Sequence, residues 1–129
     1  MKDKQEKKLT TEVVFGKTIC NVSRNVRTQE VERTVDSWEE VADYILDMFE
    51  DEDEFVVLTV GELLHQIRYV QATQVSGGII VQVGIEEGER TRLVEKECTQ
   101  EECMNIFRVF YESALVQNLE EYTPVEFWV

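Results

Sequence analysis

Residues 54 to 85, EFVVLTVGELLHQIRYVQATQVSGGIIVQVGI, contain three short runs rich in β-branched and aromatic side chains. Gly61-Glu62 separates the first run from the second, and Ser76-Gly77-Gly78 separates the second from the third. The third run has apolar side chains at every second position, the periodicity of a strand with one buried face: Ile79, Val81, Val83 and Ile85. The stretch therefore predicts the middle of an antiparallel sheet, with a hairpin turn at Gly77-Gly78.

An amphipathic helix is predicted before this stretch. Ser37 and Glu40 form a capping box, in which the Ser37 hydroxyl accepts from the Glu40 amide and the Glu40 carboxylate accepts from the Ser37 amide. Apolar residues follow at spacings of three and four, which indicates one buried helix face: Trp38, Val41, Ala42, Ile45, Met48 and Phe49. The acidic run at residues 50–54 opposes the helix macrodipole, so the helix is expected to end there.

A second helix is predicted after the stretch. Thr99 with Glu102 repeats the capping-box signal. Its buried face is expected to consist of Cys103, Ile106, Phe107, Phe110 and Ala114. The helix is expected to end near Gln117-Asn118.

The remaining strand signals are shorter. Alternating side chains predict strands at residues 12–15, 18–22, 30–35 and 125–129. Residues 90–97 fit a strand or an extended edge, and their charges suit an edge position because charged side chains there discourage pairing with other chains.

These elements predict a single α+β domain, with one mostly antiparallel β-sheet and two amphipathic helices packed on one face. With 129 residues and 43% of them hydrophobic, the chain can bury a core without a disulfide or metal. Residues 1–9 are Lys-rich and poor in apolar side chains, so we expect a flexible tail followed by a domain at residues 10–129.

Cysteine usage and hydropathy indicate a soluble cytoplasmic protein. Three cysteines are an odd number without framework spacing, which favours free thiols in a reducing compartment: Cys20, Cys98 and Cys103. The first residues, MKDKQEKKLTTE, do not fit a signal peptide or an anchor, and no window is long and apolar enough for a membrane span.

Acidity is the strongest compositional signal. The chain has 27 acidic and 13 basic residues and a formal net charge of -14. Four lysines lie among the first ten residues, so residues 11–129 hold 9 basic and 25 acidic groups, a charge of -16. Such a body repels phosphate backbones and attracts cationic surfaces, so we expect a basic protein partner and no direct binding of nucleic acid. The alternative is that the acidity only maintains solubility.

No catalytic, metal or cofactor motif is present. His65 is the only histidine, and no serine or cysteine near it has a nucleophile motif. The spacing of Cys98 and Cys103 fits no usual zinc pattern, and Cys103 is expected to be a core residue. Gly77-Gly78 lacks the lysine and helix of a phosphate loop, and residues 51–54 lack the order of a calcium loop. We therefore expect a non-enzyme without cofactor or metal.

Two groups of residues are candidate partner-binding sites. The acidic run Asp51, Glu52, Asp53 and Glu54 would steer a basic partner, although as a solvated loop it needs no ligand. Arg68, Tyr69 and Gln71 would form an exposed platform if one face of the sheet is uncovered, or else line the ordinary solvated face of an antiparallel sheet.

Residues 37 to 128 contain a distinctive order of elements: the Ser-Trp-Glu-Glu-Val helix start, the FVVL, RYVQA and GGIIVQV strands, the IFRVFY helix and a terminal tryptophan. This order resembles small acidic immunity proteins of bacterial polymorphic toxin systems. It implies a non-enzymatic α+β protein that binds a cognate toxin, often one acting on nucleic acid, and blocks its active site.

Two other function classes fit the same charge and size. An acidic mimic of nucleic acid would occupy the basic site of a host or phage protein. A structural homo-oligomer or complex subunit would instead use its sheet face or sheet edge to pair with another chain.

Overall fold

A computed structural model of the protein describes residues 23–52, 54–61, 65–75 and 78–125. The strands in this part of the chain are β1 (Arg24–Arg27), β2 (Glu32–Val35), β3 (Phe55–Val60), β4 (Ile67–Val75), β5 (Gly78–Glu87), β6 (Arg90–Cys98) and β7 (Thr123–Pro124). The helices are α1 (Trp38–Phe49), α2 (Gln100–Ser113) and a 3₁₀ helix at Leu119–Glu121.

All seven strands form one sheet in the order β2-β1-β3-β4-β5-β6-β7. Every neighbouring pair is antiparallel. The predicted α+β fold class with a single antiparallel sheet is therefore confirmed. The central stretch supplies β3, β4 and β5, as its alternation predicts, and β5 begins at Gly78 opposite Val75. Gly77 lies outside the described residues.

A row of aligned side chains crosses five strands and forms the sheet side of the core. The register places Val26, Leu58, Val70, Val83 and Val94 opposite one another on β1, β3, β4, β5 and β6. All five are buried. Side chains that are paired in register point to the same face of a sheet, so this row explains why the predicted alternation in β5 has its apolar side inward.

Each helix buries the middle of the apolar face that the sequence predicts, while Trp38, Ala42, Phe49 and Ile106 are half-buried. α1 buries Val41, Ile45 and Met48, and α2 buries Cys103, Phe107 and Phe110. The helices contact each other, and both also contact β3 and β4. That both of them pack on one face of the sheet stays a prediction.

Arg24 connects β1 to α2, next to an aromatic contact between the two helices. Its Nε donates to the backbone oxygen of Tyr111 at 2.8 Å, and its guanidinium carbon lies 4.5 Å from the centre of the Tyr111 ring. The same ring lies 6.0 Å from the Trp38 ring at the start of α1. The Arg24 guanidinium therefore packs over the face of the Tyr111 ring in a cation–π contact. The neighbouring Trp38 ring extends this aromatic cluster to the start of α1.

The two helix starts differ in detail. At α2 the capping box is complete, because Glu102 N donates to Thr99 Oγ1 at 3.1 Å and Thr99 N donates to Glu102 Oε1 at 3.0 Å. At α1, Glu40 N donates to Ser37 Oγ at 3.3 Å, but the Glu40 carboxylate accepts from Asp36 N at 2.7 Å. The prediction that it accepts from Ser37 N was wrong by one residue.

The helix ends are also set locally. α1 ends at Phe49, before the acidic run, as predicted. α2 ends at Ser113, one turn before the predicted position, because Ala114 adopts a left-handed conformation with φ of 59° and its amide donates to the Phe110 oxygen. Alanine is a strong helix former, so its sequence gives no stop signal here.

The amino-terminal strands were predicted only in part. β2 lies within the predicted strand at 30–35. β1 was not predicted, because three of its four residues are polar and only Val26 is apolar. Thr28 closes the turn between these strands: its amide donates to Val31 O, and its hydroxyl accepts from the amides of Glu30 and Val31. The predicted tail at 1–9 and strands at 12–15 and 18–22 lie outside the described residues.

The carboxyl-terminal edge also differs from prediction. β6 is not a free edge along its length, since β7 pairs with it at Val94 and Glu95. β7 lies at Thr123–Pro124, earlier than the strand predicted at 125–129, and residues 126–129 are outside the described part of the chain. Proline suits this position because an edge strand leaves one side of its backbone unpaired.

Candidate interaction surface

The outer face of α1 carries a line of carboxylates. At 100° per residue, these side chains lie within about a quarter to a third of the helix circumference, opposite the buried Val41, Ile45 and Met48. We define them as the acidic stripe: Glu39, Asp43, Asp47 and Glu50. All four are exposed.

Among the residues that the structure describes, no basic side chain pairs with the acidic stripe. α1 contains no lysine or arginine, and its carboxylates lie at spacings of three and four, where like charges repel and destabilise a helix. Within the described chain, none of the four stripe carboxylates has an ion-pair partner. Five basic residues pair with other carboxylates: Arg33 with Glu40, Arg68 with Glu86, Arg92 with Glu87, Lys96 with Glu121 and Arg108 with Glu112.

Leu46 borders the acidic stripe on the side of Phe49. It follows Asp43 by three residues and precedes Glu50 by four, so all three share one side of the helix. Leu46 is 50% exposed, more than either of the other large exposed hydrophobics in the described chain, Val75 and Leu115. An isolated exposed leucine is ordinary, but one framed by unpaired carboxylates combines an apolar contact with a charged rim.

A groove between the helices continues this surface. Its volume is about 440 Å³, and its lining includes Trp38, Phe49, Met104 and Arg108. The guanidinium carbon of Arg108 lies 5.8 Å from the centre of the Trp38 ring. Phe49 follows Leu46 by three residues, so the apolar groove begins one helical turn from the exposed leucine.

The predicted acidic run at residues 51–54 follows directly on the stripe, but its members have different surroundings. Asp51 and Glu52 are exposed, and Asp53 lies outside the described residues. Glu54 is half-buried, and its Oε1 accepts from the amides of Gln29 at 3.1 Å and Phe55 at 2.9 Å. Glu54 therefore ties the start of β3 to the β1–β2 turn. The partner-binding role predicted for residues 51–54 stays a prediction.

The predicted platform residues lie on and beside one face of β4. Tyr69 and Gln71 are half-buried and share the face opposite the core row, because they alternate with Val70. The Tyr69 ring lies over Gly84 of β5, and burial raises the Tyr69 pKa above its ordinary value. Arg68 is exposed and lies at an irregularity in the β4–β5 register, where its Nε donates to Glu86 Oε2 at 2.7 Å.

The structure does not bring the two predicted groups together. Glu54 precedes Phe55, which pairs with Thr73, whereas Tyr69 pairs with Thr59. Five residues along a strand separate Glu54 from Thr59, or roughly 15 Å. A partner that covers the acidic run would therefore reach Arg68 only if its contact extends along most of β3.

The other candidate positions show no assembled chemistry. His65 is exposed, and its side chain has no hydrogen bond or ion pair among the residues that the structure describes. Those residues also contain no group of three His, Cys, Asp or Glu side chains able to hold a metal ion. No helix in the described ranges is long and apolar enough to cross a membrane.

The acidic stripe itself was not identified from the sequence. Its signal is present, because the helical positions left over from the predicted apolar face are mostly acidic: Glu39, Glu40, Asp43, Tyr44, Leu46, Asp47 and Glu50. A helical projection of these positions shows that the apolar stripe has an acidic counterpart with the apolar Leu46 beside it. The uninterrupted run at 50–54 is more visible in one dimension, although part of it is used inside the fold.

The fold and surface define a class: a small antiparallel α+β protein with an acidic, partly apolar helix face. Comparison of the chain with protein-family models, with curated proteins and with solved structures finds no match.

Proposed function

We propose that this protein is a non-enzymatic acidic binding protein, and that it recognises a basic protein partner through the outer face of α1. The observation that carries the proposal is the acidic stripe with Leu46 exposed at its edge. Binding energy in protein interfaces concentrates in a few apolar anchors that a rim shields from water. Leu46 supplies the anchor, and the stripe carboxylates supply the rim.

Charge supports a basic partner in a second way. The formal net charge of -14 produces a long-range attraction for cationic proteins, and the unpaired carboxylates of α1 focus it on one surface. Such complementarity mainly speeds association and excludes partners of the wrong charge. It also explains why α1 keeps like charges at spacings that weaken the helix.

The narrower form of the proposal is an immunity protein that neutralises a basic toxin in the cytoplasm. Toxins that act on nucleic acid need a cationic cleft, and an acidic helix is complementary to it. The order of elements that resembles immunity proteins points the same way, and the reduced cysteines fit a cytoplasmic site of action.

A second candidate is an acidic mimic of nucleic acid. Successive stripe carboxylates four residues apart rise about 6 Å along the helix axis, which gives a regular line of negative charge. A protein that binds a phosphate backbone offers a matching line of lysine and arginine side chains. The mimic differs from the immunity protein in its partner, since it displaces DNA or RNA from a protein other than a toxin encoded beside it.

The test uses the product of the gene next to this one, purified as an inactive variant, and measures its binding at low and high salt. Three proteins are compared with the wild type: D43N/D47N/E50Q in the stripe, L46A at its edge, and E30Q/E89Q/E120Q as a control. The control removes the same charge from exposed positions away from α1.

The proposal requires a stripe-specific loss. The stripe variant is expected to associate about tenfold more slowly at low salt, with a smaller difference at high salt. L46A is expected to lose about 1–2 kcal/mol of binding free energy, mostly through faster dissociation. Equal losses in the stripe and control variants would show that net charge, and not α1, is recognised. No binding by the neighbouring product would remove the immunity form, and a doubled mass in light scattering without a partner would favour the homo-oligomer.

A further inference from the structure

Two cysteine thiols meet at the start of α2. Cys98 is the last residue of β6, and Cys103 lies in the first turns of the helix. With Thr99 as the N-cap, they occupy the residue before the cap and the fourth helical residue, positions whose side chains pack together at many helix starts. Both residues belong to the same buried core cluster, and each thiol affects the pKa of the other. The fold therefore places two free, buried thiols beside each other at this helix start.

The two thiols differ in their access to solvent. Cys103 is completely buried, whereas Cys98 is 9% exposed. Cys98 also lines a cleft of about 650 Å³, together with Glu52, Gln74, Gly78, Glu97 and Thr99. Because Cys103 is not part of that lining, a small molecule that enters the cleft reaches Cys98 first.

The two sulfurs also differ in acidity. The hydrogen bond from Cys103 lowers the pKa of Cys98, and the Lys96 ammonium lowers it further, against the opposing effects of burial, Glu102 and Glu97. The same hydrogen bond, burial and the charge of Cys98 raise the pKa of Cys103 strongly. Thiolates attack disulfides and thiols do not, so this asymmetry makes Cys98 the nucleophile and Cys103 the proton-bearing partner.

We propose that Cys98 and Cys103 form a reversible thiol–disulfide exchange site for low-molecular-weight disulfides, with Cys98 as the attacking sulfur and Cys103 as the resolving sulfur. The site is independent of the binding function proposed for α1. It lies at the junction of β6 and α2, and it uses two residues that the binding surface does not include.

The exchange is a balanced two-electron reaction. The Cys98 thiolate attacks one sulfur of a small disulfide RSSR, forming a mixed disulfide and releasing one RS⁻. The Cys103 thiol then gives up its proton and attacks the Cys98 sulfur, which forms the Cys98–Cys103 disulfide and releases the second RS⁻. The protein loses two hydrogen atoms, and RSSR is reduced to two thiols. Excess small thiol reverses both steps.

The test treats the full chain, carrying Cys20→Ser, with oxidised glutathione and measures the intact mass under non-reducing conditions. Cys20 lies outside the described residues, and its replacement leaves only the two thiols of the site. The expected product has lost two hydrogens per chain, carries no glutathione, and yields a peptide that joins Cys98 to Cys103 after proteolysis. Reduced glutathione in excess is expected to restore the original mass.

Two further variants separate the roles of the sulfurs. C20S/C103S is expected to retain one glutathione per chain at Cys98, because the resolving thiol is absent. C20S/C98S is expected to keep its mass, because Cys103 is buried. Far-UV circular dichroism establishes that each variant is folded before oxidation.

A measurement on the folded C20S protein tests the assignment of the two sulfurs even if the double variants do not fold. Brief alkylation is expected to place one label per chain on Cys98. Preferential labelling of Cys103 would overturn the assignment of the attacking sulfur. Recovery of C20S with both thiols intact, or with a persistent glutathione instead of the internal disulfide, would overturn the exchange site.

Discussion

The aromatic ring of Tyr69 on β4 lies directly over Gly84, its partner on β5. A methyl group built on Gly84 would lie 2.5 Å from Tyr69 Cε2 and 2.7 Å from Cζ, well inside van der Waals contact. A larger side chain at this position would therefore collide with the ring as it lies over β5. The contact also covers a glycine that would otherwise weaken the strand.

Replacing Gly84 with alanine is expected to destabilise the protein. The new methyl group must displace the Tyr69 ring or separate β4 from β5, a cost of about 1–3 kcal/mol for an overpacked site. The measurement is the free energy of unfolding in urea, compared between wild type and G84A. The control is the same substitution in a Tyr69→Ala background, where the obstructing ring is absent. An equal loss in both backgrounds would contradict the contact as its cause.

Replacing Asp43 with lysine is expected to stabilise the protein. The ammonium group of the new side chain would face Glu39 and Asp47, each one turn away, so two repulsive pairs become two attractive pairs. The gain is expected to be on the order of 1 kcal/mol at low salt and smaller at high salt. Thermal unfolding at two ionic strengths measures it. Asp43→Asn, which removes the repulsion without adding an attraction, is expected to give an intermediate gain.

The gain in stability from D43K is informative because we expect it to accompany a loss of partner binding. If α1 is the binding surface, D43K must stabilise the free protein and weaken partner binding. Destabilisation by D43K would show that Asp43 has a structural role in the fold.

Glu102 is expected to make stability depend on acid pH. The hydrogen bond from the Thr99 backbone amide lowers the pKa of the Glu102 carboxyl below its ordinary value of 4.5, with smaller contributions from Lys96 and the Thr99 hydroxyl. A carboxyl with a lowered pKa in the folded state stabilises the protein fully above its unfolded pKa. That contribution is lost as the pH falls through the folded value.

The corresponding measurement follows urea unfolding of wild type and Glu102→Gln from neutral pH to below pH 4.5. The two proteins are expected to differ most at neutral pH and to converge in acid. Glu101→Gln is the matched control, since it removes an exposed charge from the same turn and leaves the capping box intact. Parallel pH curves for wild type and E102Q would contradict the prediction.

Tyr122 is expected to limit stability at alkaline pH. Burial raises its pKa from the ordinary value of 10.0 to about 12, and the nearby negative charges of Cys98 and Glu121 act in the same direction. The unfolded chain therefore loses the phenol proton at lower pH than the folded protein. The Tyr122 contribution to stability is complete below pH 10 and is lost as the pH rises towards 12.

Tyr122→Phe removes the ionisable hydroxyl and keeps the buried ring. Its urea midpoint is expected to fall less steeply than that of the wild type above pH 10. Tyr44→Phe serves as a matched control for the loss of a tyrosine hydroxyl at a half-buried position on α1. An unchanged alkaline dependence in Y122F would assign the loss of stability to other groups.

Local sequence patterns were sufficient for the elements with strong periodicity. Alternating Ile79, Val81, Val83 and Ile85 predicts the buried face of β5, and the spacing of Val41, Ile45 and Met48 predicts that of α1. Thr99 with Glu102 predicts the complete capping box of α2. These predictions succeed because strand alternation, helical periodicity and capping depend on residues within one or two turns of each other.

The sequence failed where the relevant partner is remote. β1 has almost no apolar pattern of its own, and it is a strand because β2 and β3 pair with both of its sides. Glu54 is predicted to be a solvated charge, yet it accepts from the Gln29 amide. The early end of α2 depends on the left-handed conformation of Ala114, which an alanine does not signal.

The acidic composition, the two amphipathic helices and the antiparallel strands were determined by the sequence alone, because each is a property of composition or short-range order. Only the tertiary structure decided which carboxylates stay unpaired on α1, that the Tyr69 ring lies over Gly84, and that Cys98 meets Cys103 beside an open cleft. Those relationships depend on strand register and on the packing of α1 and α2 against the sheet. Register and packing are fixed by the combined burial of many side chains, and no short stretch of sequence carries that information.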